Sequence, residues 1–217
     1  DLAALSELAH AQGALLVVSA DPMSLGMFRP PGEYDADIVV GEGQTLGVAP
    51  SFGGPYVGIF ACKQRYVRQM PGRIVGRTVD TMGRDGYVLT LQTREQHIRR
   101  ERATSNICTS VGLIALMSTV YMAAQGRRGL RHIAELCYHK AHYAASLIER
   151  IPGYSLPING TFFREFVVQC PRPPADVNER LLEYRTIGGL DVSDHFPNGM
   201  LLCCTELNSR EEIESLA

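Results

Sequence analysis

The chain has 217 residues, 45% of them apolar, with a formal net charge of −2 and a pI near 6.3. That is enough to bury a real core, and the charge balance speaks against a polyanion-binding domain, which carries a basic surplus. No apolar run approaches the roughly 18 residues of a membrane span, and the opening residues resemble neither a signal nor a transit peptide. The six cysteines, Cys62, Cys108, Cys137, Cys170, Cys203 and Cys204, show no C-x-x-C and no Cys/His ligand spacing, so four or five of them read as small core hydrophobes in a reducing compartment.

In chain order, residues 1–12 form a helix with Leu2, Leu5 and Leu8 at helical spacing, feeding an apolar strand over 14–18. A helix that runs straight into a fully apolar strand implies earlier strands beside it, so the chain reads as the continuation of an α/β sheet with an N-terminal part missing. Ser19-Ala20-Asp21-Pro22 is a polar turn at a strand's C-terminal end, where open α/β sheets place ligands. A second buried strand, ADIVV over 36–40, ends in Gly41-Glu42-Gly43-Gln44-Thr45-Leu46-Gly47. A second glycine-rich loop over 51–55 precedes a third strand over 56–62, and neither loop can hold a helix, since glycine costs about 1 kcal/mol per position against alanine.

A β excursion is expected over 73–79 and 87–90, then a helical turn over 94–102, an apolar helix over 110–125 ended by Gly126, and an amphipathic helix over 129–150. The apolar face of that last helix is read as Leu130, Ile133, Leu136, Tyr143, Leu147 and Ile148. A small α+β lobe follows in the order β-α-β-β-α: strand 162–170, helix 175–184, strands 190–192 and 200–205, and a final helix opened by the capping box Ser209-Arg210-Glu211-Glu212. The implied domains are 1–125, an interdomain helix over 126–150, and 151–217.

Charge is unevenly placed. Residues 63–102 carry ten basic residues against four acids, and only Lys63 and Lys140 are lysines among the chain's 21 basic residues. No metal motif, P-loop or G-x-S-x-G is present. Thr104-Ser105-Asn106 places three small hydrogen-bonding residues ahead of the apolar helix, either as a plain N-cap or as an anion site built on free N–H groups. His97, set among arginines, lacks the partner that would tune it as a general base.

The runs DIVVGEGQ (37–44), SFGGP (51–55), RQMPGRIVG (68–76) and LQTREQHIRRERATSNICT (91–109) closely resemble the P-protein family of the glycine cleavage system, and specifically its subunit 1, the N-terminal half of the single-chain form. The resemblance covers nearly the whole chain. It implies a type I fold of pyridoxal phosphate (PLP)-dependent transferases: part of a large, mixed, mostly parallel α/β sheet domain plus a small C-terminal α+β domain.

In the family's catalytic halves, the strand matching 36–40 leads to the lysine that forms the Schiff base. Here the matching residues are Gln44 and Thr45, and neither can condense with an aldehyde. Asp21 is the nearest match to the aspartate that pairs with the cofactor's pyridine nitrogen, and without that lysine it reads as a relic or a turn-former.

The resemblance thus implies a lysine-less part of an oxidoreductase, inactive alone, whose pyridoxal phosphate is held by a catalytic subunit 2 in a heterodimer or heterotetramer. The complex would decarboxylate glycine and pass the aminomethyl group to the lipoyl arm of H-protein, in a bacterial cytoplasm or, in a eukaryote, a mitochondrion. It further implies that Thr104, Ser105 and Asn106 reach the phosphate of the partner's cofactor, with Arg94, Arg99 and Arg100 supplying positive potential. Two alternatives stand beside it: a self-sufficient enzyme using Lys63 or Lys140, and a phosphate-binding or interaction module with no enzymatic partner.

Overall fold

The structure, a computed structural model, describes residues 2–91, 95–103, 105 and 111–217. It divides into two compact units, Asp1–Pro22 with Arg29–Ala124, and Met23–Phe28 with Gln125–Ala217.

In the first unit, helix α1 (Leu2–Ala11) leads to strand β1 (Val17–Ser19). Strand β2 (Ile38–Glu42) pairs parallel to β1, and β3 (Gly58–Cys62) pairs antiparallel along the other side of β2. All three expected strands are present, but β1 begins three residues after the start of the apolar run. The cause is Asp37: its Oδ2 takes the Leu16 N–H at 2.9 Å, and its own N–H goes to Leu16 O at 2.9 Å. A side-chain bond therefore stands where the ladder would have started.

The face of α1 is also turned from the expected one. Ser6 is buried and donates to Asp35 O at 3.4 Å, while Leu5 and Leu8 point outward, Leu8 64% exposed. Leu15 and Val17 are exposed as well, so β1 is not covered on both faces within this chain.

Asp37 fastens this unit together. Its side chain is fully buried, with Oδ2 2.7 Å from His10 Nε2, and with Oδ1 accepting from Lys63 Nζ at 3.1 Å and from Arg65 Nη2 at 2.5 Å. One carboxylate thus joins α1, the start of β1, the start of β2 and the residues after β3. Burial would raise its pKa, but hydrogen bonds from His10, the Leu16 N–H, Lys63 and Arg65 outweigh it and hold the carboxyl well below the usual range.

Strands β4 (Ile74–Val79) and β5 (Asp85–Thr90) form an antiparallel ribbon, followed by the short helix α2 (Gln96–Arg99). The helical run α3 (Gly112–Ile148) is interrupted at Gly126, whose φ of 60° and ψ of 179° are not helical. That is the break the glycine was expected to make.

The second unit contains the later part of α3, then β6 (Glu165–Gln169), α4 (Pro174–Glu183), β7 (Leu190–Asp191), β8 (Gly199–Cys203) and α5 (Arg210–Leu216). Its sheet, in the order β6-β8-β7, is antiparallel throughout. The expected order of elements is present, and so is the capping box: Ser209 Oγ accepts from the Glu212 N–H at 3.1 Å, and Glu212 Oε2 accepts from the Ser209 N–H at 2.7 Å.

The core face of α3 differs from the expected one. Its deepest residues are the small ones, Ala134, Cys137, Ala141, Ala144 and Ala145, with Ile148 at the end. Ala141, Ala144, Ala145 and Ile148 share one core with Phe166, Val168, Met200 and Ile213. The larger Leu130, Ile133, Leu136, Tyr143 and Leu147 are only partly buried along its flanks.

Replacing Asp37 by alanine strands His10, Lys63, Arg65 and the Leu16 N–H together, and should cost about 3 kcal/mol, the low end for breaking a buried charge pair. The folded pKa lies below the ordinary 3.8, so this stabilisation is complete above that pH and fades as pH falls through the folded value. Urea unfolding across pH 2 to 7 should show the gap between wild type and Asp37→Ala narrowing on the acid side.

Candidate functional site

The parallel pairing of β1 and β2 sends both C-terminal ends the same way, so Asp21 and the turn Gly43–Thr45 arrive side by side. Thr45 Oγ1 donates to Asp21 Oδ1 at 3.2 Å. Gln44 turns back into its own loop, its Nε2 donating to Val48 O.

The turn is fastened further by Glu42, whose Oε1 accepts from the Gln44 N–H at 3.1 Å and the Val57 N–H at 3.2 Å. Gly43 is buried, and a Cβ there would lie 2.6 Å from Val57 Cγ1. Gly47, at φ +85°, sits beneath the Tyr121 ring, where a Cβ would approach to 2.5 Å. The two residues that occupy the expected lysine position are thus a hydroxyl bound to Asp21 and an amide bound to its own loop. They do not fit covalent attachment of an aldehyde cofactor.

Both lysines are engaged elsewhere. Lys63 Nζ lies 2.6 Å from Asp35 Oδ1 and 3.1 Å from Asp37 Oδ1. Its hydrogen bond to Asp35 raises the ammonium pKa above the ordinary value, so the amine stays protonated and is not a nucleophile. Lys140 Nζ donates to Glu206 O at 2.6 Å and Asn208 O at 2.5 Å, tying α3 to the loop before α5. Each lysine is thus occupied by hydrogen bonds within its own unit.

Of the loop residues, Ser105 is half-buried and stands seven positions ahead of Gly112, so it does not cap α3. Thr104, Asn106 and Arg94 lie outside the described residues, as does Cys108. His97, Arg99 and Arg100 are exposed on or beside α2. Burial pushes the Cys137 thiol up to about 12 and the Cys204 thiol up to about 11, consistent with structural cysteines. Among the described residues no cluster of metal-ligating side chains occurs, and no helix is long and apolar enough to cross a membrane.

Much of the basic surplus is neutralised locally. Lys63 and Arg65 serve Asp35 and Asp37, Arg77 pairs with Asp85, Arg84 pairs with Asp80, and Arg73 lies 3.9 Å from the buried Glu95. The bond between Asp21 and Thr45 and the hub at Asp37 were both missed in the sequence. The only signal for the hub was an aspartate set directly against an apolar strand.

The sequence profile of the glycine cleavage system P-protein matches residues 1–217. A protein of Thermomicrobium roseum named "Probable glycine dehydrogenase (decarboxylating) subunit 1" is 56% identical over 219 residues, covering 100% of this chain and 49% of that protein. A protein of the same name from Desulforamulus reducens is 54% identical over 220 residues, again covering 100% and 49%. The chain therefore spans about half the length of the curated relatives it matches.

A crystal structure of glycine decarboxylase (P-protein) of the glycine cleavage system, in inhibitor-bound form, superimposes with a TM-score of 0.95 at 45% identity, covering 100% of this chain and 50% of that one. A cysteine desulfurase from Escherichia coli superimposes with a TM-score of 0.65 at 15% identity, covering 100% and 53%. That likeness concerns the fold alone and agrees with a type I PLP-transferase architecture.

If the site is as described, incubating the chain with pyridoxal phosphate and reducing with borohydride should leave the peptides of Lys63 and Lys140 unmodified by mass spectrometry. Stoichiometric labelling of either would restore a self-sufficient cofactor site.

Proposed function

The chain belongs to the glycine cleavage system P-protein family, and from that membership we propose that it is part of a subunit 1 of glycine dehydrogenase (decarboxylating), with a supporting rather than a cofactor-binding role. The reading is supported by the turn that the resemblance sets at the lysine position: Gln44 and Thr45 carry no amine, and Thr45 is bonded to Asp21. The cofactor, pyridoxal phosphate, is then held by a lysine of a partner subunit 2. Glycine decarboxylation and aminomethyl transfer to lipoyl H-protein take place at that partner's site, in the cytoplasm of a bacterium such as the sources of the relatives.

On this reading 1–125 is the closing part of a large domain, 126–150 the connecting helix and 151–217 the small domain. Thr104, Ser105 and Asn106 reach across to the phosphate of the partner's cofactor, where hydroxyl and amide donors suit a dianion. Arg94, Arg99 and Arg100 raise the local positive potential.

The test is reconstitution. The full-length subunit and its lysine-bearing partner, mixed with H-protein, should exchange CO₂ with the glycine carboxyl, and this chain alone should not. An interaction module unrelated to the enzyme would leave the partner's activity unaltered. In the complex, Thr104→Ala or Ser105→Ala should weaken retention of the cofactor roughly tenfold, the effect of losing one hydrogen bond to a charged group. Equilibrium dialysis measures it, and unchanged retention removes the phosphate role without touching the subunit assignment.

A further inference from the structure

The ribbon β4–β5 has a face that nothing in its own composition explains as a solvated surface. Val75 lies opposite Leu89, Arg77 opposite Tyr87, and Val79 opposite Asp85, and side chains alternate along a strand, so these six share one face. Val75 is 59% exposed, Val79 61%, Tyr87 72% and Leu89 46%, with Met82 at the tip 75% exposed. A two-stranded ribbon is marginal in water unless its apolar face is covered, and contiguous exposed apolar surface of this kind marks an interaction site.

The charges say what kind of cover fits. Arg77 pairs with Asp85 at 2.8 Å and Arg84 with Asp80 at 2.8 Å, so the ribbon is neutral in itself and offers nothing to a polyanion. Its exposed residues include tyrosine, methionine and arginine and no lysine, the composition of the desolvated centre of a protein interface. On either side in the sequence stand the exposed Arg68, Arg73, Arg99, Arg100 and Arg102. Arg77 lies on the apolar face itself and Arg73 directly precedes β4, so the face suits an apolar surface with an acidic rim.

We propose that this ribbon is a docking arm that seats on an apolar, acid-rimmed surface of the lysine-bearing partner subunit. The proposal rests on the reading of the chain as a subunit 1. It also accounts for the ribbon's place in the chain, directly before residues 92–110, which that reading sends to the partner's cofactor.

The test uses the full-length subunit and its partner. Tyr87→Asp and, separately, Val75→Asp should weaken heteromer formation in sedimentation equilibrium by roughly thirtyfold or more, the scale of an interface hot spot, with circular dichroism and thermal midpoint unchanged. In an otherwise unaltered chain, a photo-crosslinking amino acid placed at Met82 should capture the partner subunit.

Capture of a second copy of this chain, capture within the same polypeptide, binding of the ribbon to lipid vesicles, or unchanged affinity in both variants would overturn the arm. If the unaltered chain and partner do not assemble at all, the subunit reading falls with it. If they assemble and the variants do so equally well, only the arm falls.

Discussion

The Asp37 carboxylate is the constraint on which the first unit depends. A buried charge is tolerated only when every lone pair is used, and here the donors come from four places: the end of α1, the residue before β1, and two positions after β3. Because the backbone of Asp37 also exchanges hydrogen bonds with Leu16 and Lys63, side chain and main chain fix the same register. A strand slip of one residue would bury a different side chain and abandon this carboxylate. The opposite ends of β1 and β2 are set by the same clamp, which is how Asp21 and Thr45, 24 residues apart, meet within hydrogen-bond distance.

That meeting changes what the missing lysine means. A substitution read from sequence alone leaves open whether the place where the amine stood is vacant or rebuilt. At the turn that the proposed reading sets there, Thr45 serves Asp21, Gln44 serves Val48, Glu42 holds the turn to Val57, and Gly43 admits no side chain. The side chains of the turn are hydrogen-bonded to residues of their own unit.

The parts legible in the sequence were those governed by short-range rules. ADIVV announces a strand, Gly126 announces a break, and Ser209 with Glu212 announces a helix start; each involves only near neighbours. The faces of α1 and α3 were misread because hydrophobicity was used as a proxy for depth. In α1 a serine is innermost because its hydroxyl meets Asp35 O, and in α3 the alanines pack into the core beside Phe166, Val168 and Met200. The Asp37 hub and the bond between Thr45 and Asp21 join residues distant in sequence, and no periodicity encodes such pairs. Of the proposed phosphate-reaching residues, the sequence supplied the identities, and Ser105 alone falls among the described positions.

On the proposed reading, the basic residues let the chain border a partner's cofactor without competing for it. All but two of its 21 basic residues are arginine. Arginine gives planar, permanently charged donors suited to phosphates and carboxylates, and it offers no free amine at neutral pH, whereas an unengaged lysine would react with an aldehyde cofactor. The two lysines present are held, Lys63 by Asp35 and Asp37, and Lys140 by the carbonyls of Glu206 and Asn208. On that reading the aldehyde chemistry is left to whichever chain carries a free lysine at the end of its own β2.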